Sequence, residues 1–397
     1  MNLHKKKIYF DGKISHGFVS LYTGKTIVMI ASGLLGLFLP IFIYNLFNQN
    51  FQYMALYFAI GHFLYTIVVT LGAIFLNKFG FRKALRISIL FGAFYYTVFY
   101  FIKDDNLIYL IPLAIIVHLF FRLSYWLPYH VNFAKFTSQE NRSKQVAIIQ
   151  TTKTIMSIFL PIIAGFIISQ FSFKILFVIA IILFLVSGIP YLTIPRTREK
   201  FSWTYLETWQ KFFSKKYRKT ILAFIADGAE VTTSVIIWPI FIYQLLQGDY
   251  LKVGAISTLI IGITVILQLV LGKVLDKRLK KEKVLKLGTI FYSFGWVIKI
   301  FIATALQIFV VGIYHNFMKI FTRIPFDTLT YEAAADQEHY VDEFTVLHEI
   351  AINIGKTLIL ILAIFGSMFF AFQWIFILAA VAAICLNLFS AKIKLYH

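Results

Sequence analysis

Charged residues are scarce in this sequence, and cysteine is nearly absent. Only 14% of the 397 residues are Asp, Glu, Lys or Arg, whereas soluble domains carry about 25%. The single cysteine, Cys385, excludes a disulfide within the chain and has no metal-ligand neighbours, so we interpret it as a packing residue. Hydrophobic residues make up 59% of the chain and the mean hydropathy is +0.79, which indicates a membrane protein.

Several functional signatures are also missing. The sequence contains no phosphate-binding loop, no Ser-His-Asp or Cys-His arrangement and no carboxylate cluster of metal-site spacing. We expect no cleaved signal peptide, because the first apolar stretch is too long and lacks a small-residue cleavage site. The formal net charge of +20 does not indicate nucleic-acid binding, since Lys and Arg cluster at the ends of apolar runs. These absences favour a protein that is not an enzyme and needs no ATP, cofactor or metal.

Hydrophobic runs recur along the whole chain with short polar breaks between them. A membrane-spanning helix needs about 20 mostly apolar residues. Runs of this length are predicted to be helices, because backbone polar groups cannot be left unpaired in hydrocarbon. We count twelve of them: residues 25–46, 52–76, 84–102, 107–131, 145–168, 174–194, 219–246, 252–275, 284–303, 306–328, 344–368 and 372–391. The predicted fold class is an all-α membrane protein with twelve transmembrane helices.

The distribution of Lys and Arg predicts the orientation of these helices. Breaks after even-numbered runs are basic, except for the acidic break after the tenth run, and breaks after odd-numbered runs carry at most one basic residue each. Basic loops stay on the inner side of a membrane. We therefore expect both termini in the cytoplasm. The Phe-, Ile- and Lys-rich composition is typical of an AT-rich microbial genome and indicates a bacterial cell membrane.

The longest break divides the chain into two sets of six runs. We assign residues 1–194 and 219–397 to two six-helix halves and residues 195–218 to a cytoplasmic linker. Four apolar residues recur in the linker at helical spacing: Trp203, Leu206, Trp209 and Phe213. Lys and Arg surround them, a pattern that predicts a helix lying in the inner interface. An irregular basic linker is the alternative.

One short segment occurs twice. The sequence PIFIYNLF of residues 40–47 returns as PIFIYQLL at residues 239–246, and the same offset carries Asn77 onto Asp276. An internal repeat determines the architecture before any detail does. This repeat predicts two parallel halves, in which the first span corresponds to the seventh and the repeated segments form the outer ends of equivalent helices.

The break between the second and third spans carries a recognisable motif. Its sequence GAIFLNKFGFRKAL resembles motif A of the major facilitator superfamily, and GKVLDKRLKKEK between the eighth and ninth spans repeats it. The matching positions are Asn77, Lys78, Gly80 and Arg82 in the first copy and Gly272, Asp276, Lys277 and Lys281 in the second. Together with the twelve spans and their division, the resemblance covers essentially the whole chain.

The resemblance implies the fold of a secondary transporter, in which the motif A residues latch a cytoplasmic gate. Asn77 stands where the family has an acid, so we expect a weaker latch there and a stronger one at Asp276. A role of these basic residues in orienting the helices alone is the alternative. In the fourth span, Arg122 of VHLFFRLSYW resembles the intramembrane arginine of motif B.

Two acidic residues lie deep in the seventh predicted span. At about 1.5 Å per residue, Asp227 is about 12 Å and Glu230 about 16 Å beyond Lys219. They share a stripe with Ser234, one turn further on, and we expect this stripe to face an axial cavity. A charged group at mid-bilayer is costly, so we interpret both carboxyls as candidates for proton coupling. Structural pairing with a basic residue of a neighbouring helix is the alternative.

Basic residues form corresponding stripes on other spans. His118 and Arg122 are one turn apart on the fourth span, and Lys319 and Arg323 have the same spacing on the tenth. The cavity walls that these stripes predict are richer in cations than in acids, which favours an anionic or zwitterionic solute.

The fifth and eleventh spans also carry charged residues at roughly corresponding points. These residues are Lys153 and Lys356, and the latter shares a helix face with Asn353 and Glu349. Because Glu349 lies nearer the cytoplasm, we expect it at the inner gate, with substrate contact as the alternative.

Three other polar residues within the runs are interpreted as structural. His62 and His315 are isolated histidines and are expected to pack in the interior. Lys299 lies close enough to the outer end of the ninth span to reach the membrane surface.

These features together predict a secondary active transporter that moves a small solute by alternating access, coupled to protons. Its expected partners are the solute, protons and membrane lipid, and the expected state is a monomer. A polytopic enzyme that acts on lipid, and a receptor or scaffold that kept the fold without transport, are the alternatives.

Overall fold

The computed structural model describes residues 15–136, 142–195, 201–275, 281–335 and 341–389, and regular structure in these ranges is helical. The helices before the linker are α1 (His16–Gly36), α2 (Phe38–Leu46), α3 (Phe51–Phe79), α4 (Phe81–Phe101), α5 (Leu107–Phe136), α6 (Arg142–Gln170) and α7 (Phe173–Leu192). The later helices are α8 (Tyr205–Phe212), α9 (Arg218–Thr232), α10 (Trp238–Leu245), α11 (Tyr250–Leu275), α12 (Lys281–Lys299), α13 (Ala305–Ala335), α14 (Val341–Phe369) and α15 (Ile375–Cys385).

Nine helical segments in these ranges are long and apolar enough to cross a membrane. The charged helices α12 and α13 are not among them, and the last apolar helix, Phe372–Leu388, is shorter than the others. The first span starts at His16, well before the predicted start at residue 25. The prediction was wrong there because Ser15 caps the helix earlier, its Oγ accepting the N–H of Phe18 at 3.1 Å. Lys25 therefore lies inside the first span.

Proline interrupts both helices that carry the repeated segment. The first is broken at Leu37, between α1 and α2, and Pro40 follows. The second widens into a π-helical stretch over Thr233–Ile237, and Pro239 follows in α10. Proline cannot donate a backbone hydrogen bond to the preceding turn, so the helix must deform at this point.

The chain turns in the same way after each copy of the repeated segment. The N–H of Gln49 donates to the carbonyl of Tyr44 at 2.9 Å, and the N–H of Gly248 donates to that of Tyr243 at 2.9 Å. The turn residues have left-handed backbone angles, with φ of 53° at Asn48, 60° at Gln49, 55° at Gln247 and 79° at Gly248. The repeat therefore includes backbone conformation as well as sequence.

A capping side chain follows each of these turns. The Oδ1 atom of Asn50 accepts the N–H of Tyr53 at 2.9 Å, and Oδ1 of Asp249 accepts the N–H of Lys252 at 3.0 Å. The second bond stabilises the carboxylate and lowers the pKa of Asp249 below its usual 3.8. The helices α3 and α11 therefore begin with equivalent caps.

Helices from before and after the linker meet along two seams, where α3 packs against α14 and α6 packs against α11. Glycine permits the close approach of α6 and α11. A Cβ on Gly254 would overlap the carbonyl oxygen of Pro161, and a Cβ on Gly165 would lie 2.6 Å from that of Tyr250. A Cβ on Gly262, also in α11, would meet its nearest neighbour at an ordinary 3.9 Å. Small residues at such positions let helix backbones pack closely in membranes.

The linker packs partly against the helices. Trp203 precedes the short helix α8 and is buried, whereas Leu206 and Phe213 are exposed on or beside it. The aromatic residues Phe201 and Phe212 are also buried. This linker thus presents one apolar side to the protein and another to its surroundings.

Candidate functional site

The two acidic residues of α9 lie in a charge cluster with α13. Asp227 and Glu230 are buried, and the guanidinium of Arg323 forms an ion pair with Asp227 while its Nη2 atom lies 3.6 Å from Glu230 Oε2. Nζ of Lys319 lies 3.7 Å from Glu230 Oε1. The structure thus brings together the acids and cations that the sequence placed on separate stripes. We call these four residues, with Asp327 and Tyr292, the α9–α13 cluster.

Glu230 is the most enclosed member of the α9–α13 cluster. Its side chain is 0% exposed and accepts a hydrogen bond from the hydroxyl of Tyr292, on α12. Lys319 also donates to Ser234 Oγ at 3.1 Å. At the other end, Asp327 is half exposed and lies 3.8 Å from Arg323. The cluster therefore extends from the buried carboxyl of Glu230 to the accessible carboxyl of Asp327. Protonation of Glu230 would weaken its attraction for Lys319 and Arg323.

A second polar cluster joins α5 to α14. The guanidinium of Arg122 donates through Nη2 to Asn353 Oδ1 at 2.7 Å and lies 3.7 Å from the ring centre of Tyr65. His62 Nδ1 lies 2.9 Å from the same Asn353 oxygen. The Asn353 amide donates in turn to the backbone carbonyl of Glu349 at 2.7 Å and to its carboxylate at 3.3 Å. This arrangement, the Arg122 cluster, connects helices from opposite sides of the linker.

His118 lines a small cavity between α3 and α5. The other lining residues are Tyr57, Phe58, Gly61, His62, Ile115, Leu119 and Arg122. The His118 ring packs at a tilt against Tyr95 with 4.5 Å between centroids, and the His315 ring packs at a similar tilt against Tyr292, also at 4.5 Å. His118 therefore has its structural counterpart in His315, and Arg122 in Lys319, one turn along the helix from each histidine.

Two of the sequence-predicted cations stand apart from these clusters. Lys153 is exposed and Lys356 is half-buried, and neither forms a hydrogen bond or ion pair within the described ranges. Lys153 belongs to α6 and Lys356 to α14, so they lie on helices that form the two seams.

Sequence reasoning missed several buried polar residues. Lys25 packs against aromatic rings of α5, and His62 and Tyr292 contact Arg122 and Glu230 directly. Lys299 was expected at the membrane surface, but it is 2% exposed and its Nζ lies 3.9 Å from the ring centres of two tryptophans, Trp238 and Trp296. Lys25 lies at the edge of the predicted run, so its burial had no signal in the sequence, and neutral partners give no signal either.

The predicted gate residues of the first motif contact the linker and the next helix. Asn77 donates through its amide to the carbonyl of Phe201 and accepts the N–H of the same residue, both at 2.8 Å. Lys78 is exposed, Arg82 is half-buried, and Gly80, with φ of 90°, makes the turn between α3 and α4. Asn77 was expected to weaken a charged latch. In these contacts its amide uses both hydrogen-bonding roles, which a carboxylate cannot do.

Glu343, at the start of α14, binds the next linker residue. Its Oε1 accepts the N–H of Ser202 at 2.7 Å and the hydroxyl at 2.5 Å. The linker therefore connects the end of α3 to the start of α14. In the second motif, Asp276 and Lys277 lie outside the described residues, as do the surroundings of Gly272 and the side chain of Lys281.

The two copies of the repeated segment bind each other. Asn45 Nδ2 donates to the hydroxyls of Tyr243 at 2.9 Å and Tyr250 at 2.8 Å, and Gln244 Nε2 donates to the hydroxyl of Tyr44 at 2.6 Å. Asn45 corresponds to Gln244 and Tyr44 to Tyr243, so each amide binds the tyrosine equivalent to its own neighbour. We call these five residues the α2–α10 contact. Contacts of this reciprocal kind arise where a two-fold axis relates two surfaces.

The sequence model of one protein family, the Major Facilitator Superfamily, matches residues 21–339 of this chain. The chain belongs to this superfamily. It is accordingly a multi-pass membrane transport protein of the secondary transporter class, and the resemblance seen in motif A is confirmed.

Solved structures of the superfamily fold are similar over almost the whole chain. A POT family transporter in complex with 5-aminolevulinic acid has a TM-score of 0.70 at 10% identity, with 96% of each chain covered. A mutant peptide transporter POT, in complexes with alafosfalin and with sulfate, has a TM-score of 0.67 at 10% identity, covering 96% of this chain and 94% of that one. A search of curated proteins finds no match. At such low identity these structures show the fold alone.

Proposed function

We propose that this superfamily member transports a small solute across a bacterial cell membrane by alternating access, with proton coupling at the α9–α13 cluster. In this proposal the chain spans the membrane twelve times as a monomer, with both termini in the cytoplasm. Residues 1–194 and 219–397 form two parallel six-helix halves, joined by the linker of residues 195–218. Asp276 and the other motif A residues belong to the cytoplasmic gate.

The α2–α10 contact supports the two-fold arrangement of the halves. Its hydrogen bonds connect equivalent residues reciprocally, and the turns that follow have the same backbone bonds in both copies. The basic loops lie at the opposite ends of these helices, so the contact closes the outer side in this conformation. Rocking of the halves around a midplane site would have to break it.

The observation that carries proton coupling is the environment of Glu230. Its carboxyl is fully buried, within reach of Lys319, Arg323 and Tyr292. A protonated Glu230 would no longer hold these cations, so the two protonation states favour different arrangements of α9 and α13. Binding of a proton can then shift the conformational equilibrium by its differential affinity for the two states.

An anionic or zwitterionic solute is supported by the surplus of cations. Arg122, Lys153 and Lys356 have no carboxylate within ion-pair distance among the described residues. The similar structures were solved with alafosfalin, 5-aminolevulinic acid and sulfate, all of which carry an acidic group. These compounds and simple dipeptides therefore form the first panel to test.

Transport by purified protein in proteoliposomes tests the proposal. We expect the parent protein to accumulate a solute only with a pH gradient, and Glu230→Gln or Asp227→Asn to abolish accumulation while leaving counterflow exchange of that solute. Asp249→Asn, which changes an acid outside the spans, serves as the control and should accumulate normally. Accumulation at the parent level by both cluster variants would assign coupling to another site.

A further inference from the structure

Lys25 is a buried lysine in the first span that none of the clusters above includes. Its side chain is 9% exposed, and its Nζ lies 5.1 Å from the ring centre of Tyr125, 4.4 Å from that of Trp126 and 4.6 Å from that of Tyr129. All three rings belong to α5. At about 1.5 Å per residue, Lys25 is about 13 Å along α1 from His16.

A second lysine approaches the same place from α6. The hydroxyls of Tyr22 and Thr152 are hydrogen-bonded at 2.7 Å, which joins α1 to α6. Tyr22 lies one turn before Lys25, and Thr152 directly precedes Lys153. Both lysines therefore lie within one helical turn of the hydrogen bond that joins α1 to α6. Since Lys153 is exposed, the pair is accessible from one side.

The described helices of the first half offer no acidic residue to neutralise this pair. The segments of α1 to α7 contain no Asp or Glu, and within the described ranges neither lysine forms an ion pair. Asp327 of α13 lies 3.8 Å from Arg323 and is thus already paired. Aromatic faces attract the Lys25 ammonium without cancelling its charge. Two uncompensated cations inside a membrane protein are costly unless an anion joins them.

We infer that Lys25 and Lys153 form a binding site for the oxyanion group of the solute, a carboxylate or a phosphoryl or sulfate group. Two ammonium groups offer up to six hydrogen-bond donors, which suits the several oxygens of such a group. The site lies among α1, α5 and α6 of the first half, whereas the acids of the α9–α13 cluster belong to the second half. A zwitterion would therefore bind with its anionic end toward the first half. The inference rests on the proposed function, because it takes the anion to be part of the solute.

Iodide is a probe that does not require the solute to be known. It is an anion that quenches tryptophan fluorescence on contact, and Trp126 lies beside Lys25. At constant ionic strength in detergent, we expect iodide to quench part of the emission saturably. This part should vanish in Trp126→Phe, and the cationic quencher caesium should not reproduce it.

Variants of the two lysines decide whether the quenching reports the proposed site. Lys25→Gln or Lys153→Gln should require about tenfold more iodide for half-quenching, and Lys25→Arg should restore the affinity. Lys299→Gln is the matched control, because it also removes a buried lysine that contacts tryptophan. Unchanged half-quenching in both glutamine variants, or equal quenching by caesium, would overturn the inference.

Competition identifies the source of the anion. Displacement of iodide by inorganic phosphate or succinate supports a site for a soluble solute, whereas displacement by phosphatidylglycerol alone would assign the site to lipid and contradict the inference. Saturable quenching in a protein that fails every transport assay would support the anion site and refute the transport proposal. Transport without saturable quenching would support the transport proposal and refute the anion site.

Discussion

The α2–α10 contact allows a quantitative test of how the outer side is held closed. Substituting Asn45→Ala and Gln244→Ala together removes both amides and therefore three hydrogen bonds to tyrosine hydroxyls. None of these bonds lies within one helix, and all of them connect α10 or α11 to α2. We expect the double variant to open at this end more often than the parent protein.

The expected size of the effect follows from the number of bonds. At about 1 kcal/mol for each net hydrogen bond, the double variant loses about 3 kcal/mol of the free energy that favours the closed state. This loss changes the ratio of closed to open molecules by about 150-fold, and loss of the Gln244 bond alone changes it by about fivefold. A parent protein that is almost entirely closed would become measurably open.

Distances between spin labels report this change directly. Labels at Asp105→Cys and Ala303→Cys occupy exposed loops on either side of the contact, between α4 and α5 and between α12 and α13. Replacement of the one native cysteine, Cys385→Ala, makes the labelling specific. Pulsed electron paramagnetic resonance should show that the longer distance between the two labels is populated much more in the double variant than in the parent protein.

Tyr57→Phe is the matched control for loss of a tyrosine hydrogen bond. Its hydroxyl bonds to that of Tyr95 at 3.0 Å, and both residues lie in the first half, on α3 and α4. This variant should leave the distance distribution unchanged. If the double variant also keeps the parent distribution, the reciprocal bonds do not hold the outer side, and the reasoning from the repeated segment is refuted.

Asn77→Asp should lower the thermal unfolding temperature, because a carboxylate cannot donate to the carbonyl of Phe201 in the linker and the lost bond costs about 1–3 kcal/mol. An unchanged unfolding temperature would show that the hydrogen bonds between Asn77 and the linker do not stabilise the protein. Gly254→Ala should lower the thermal unfolding temperature, because the new Cβ would overlap the backbone of α6. Gly262→Ala should leave that temperature unchanged, because its Cβ would have room. The folded-state pKa of Asp249 is depressed, so its cap stabilises above the unfolded pKa near 3.8 and is lost as the pH falls through the folded value. Asp249→Asn should therefore weaken the acid dependence of unfolding below about pH 4, and an identical pH profile would exclude this cap as a contributor.

The burial of the α9 acids and the spacing of the α13 cations could be predicted because their signals are one-dimensional, whereas the ion pairs between them were only the alternative to a stripe facing a cavity. Depth in a span follows from residue number, and a shared helix face follows from a spacing of three or four. Asp227 and Glu230 are indeed buried on one stripe, and Lys319 and Arg323 share another. The family could be predicted for the same reason, since a motif is a local pattern.

Other residues could not be recognised because their environment comes from distant parts of the chain. His62 was interpreted as packing, yet it contacts Arg122 of α5 and Asn353 of α14. Lys25 was taken as the edge of the first span, because hydropathy does not reveal the cap at Ser15. Polar side chains acquire a role only when helix packing brings a partner to them.

The repeated segment separates the two kinds of information most clearly. The sequence by itself determined that residues 40–47 and 239–246 are equivalent, and it predicted that both end their helices on the same side. Only the tertiary structure decided that the copies face each other and exchange hydrogen bonds between Asn45, Gln244 and the tyrosines. The physical reason is that helix rotation and partner choice depend on the summed packing of all the helices, which no local spacing encodes.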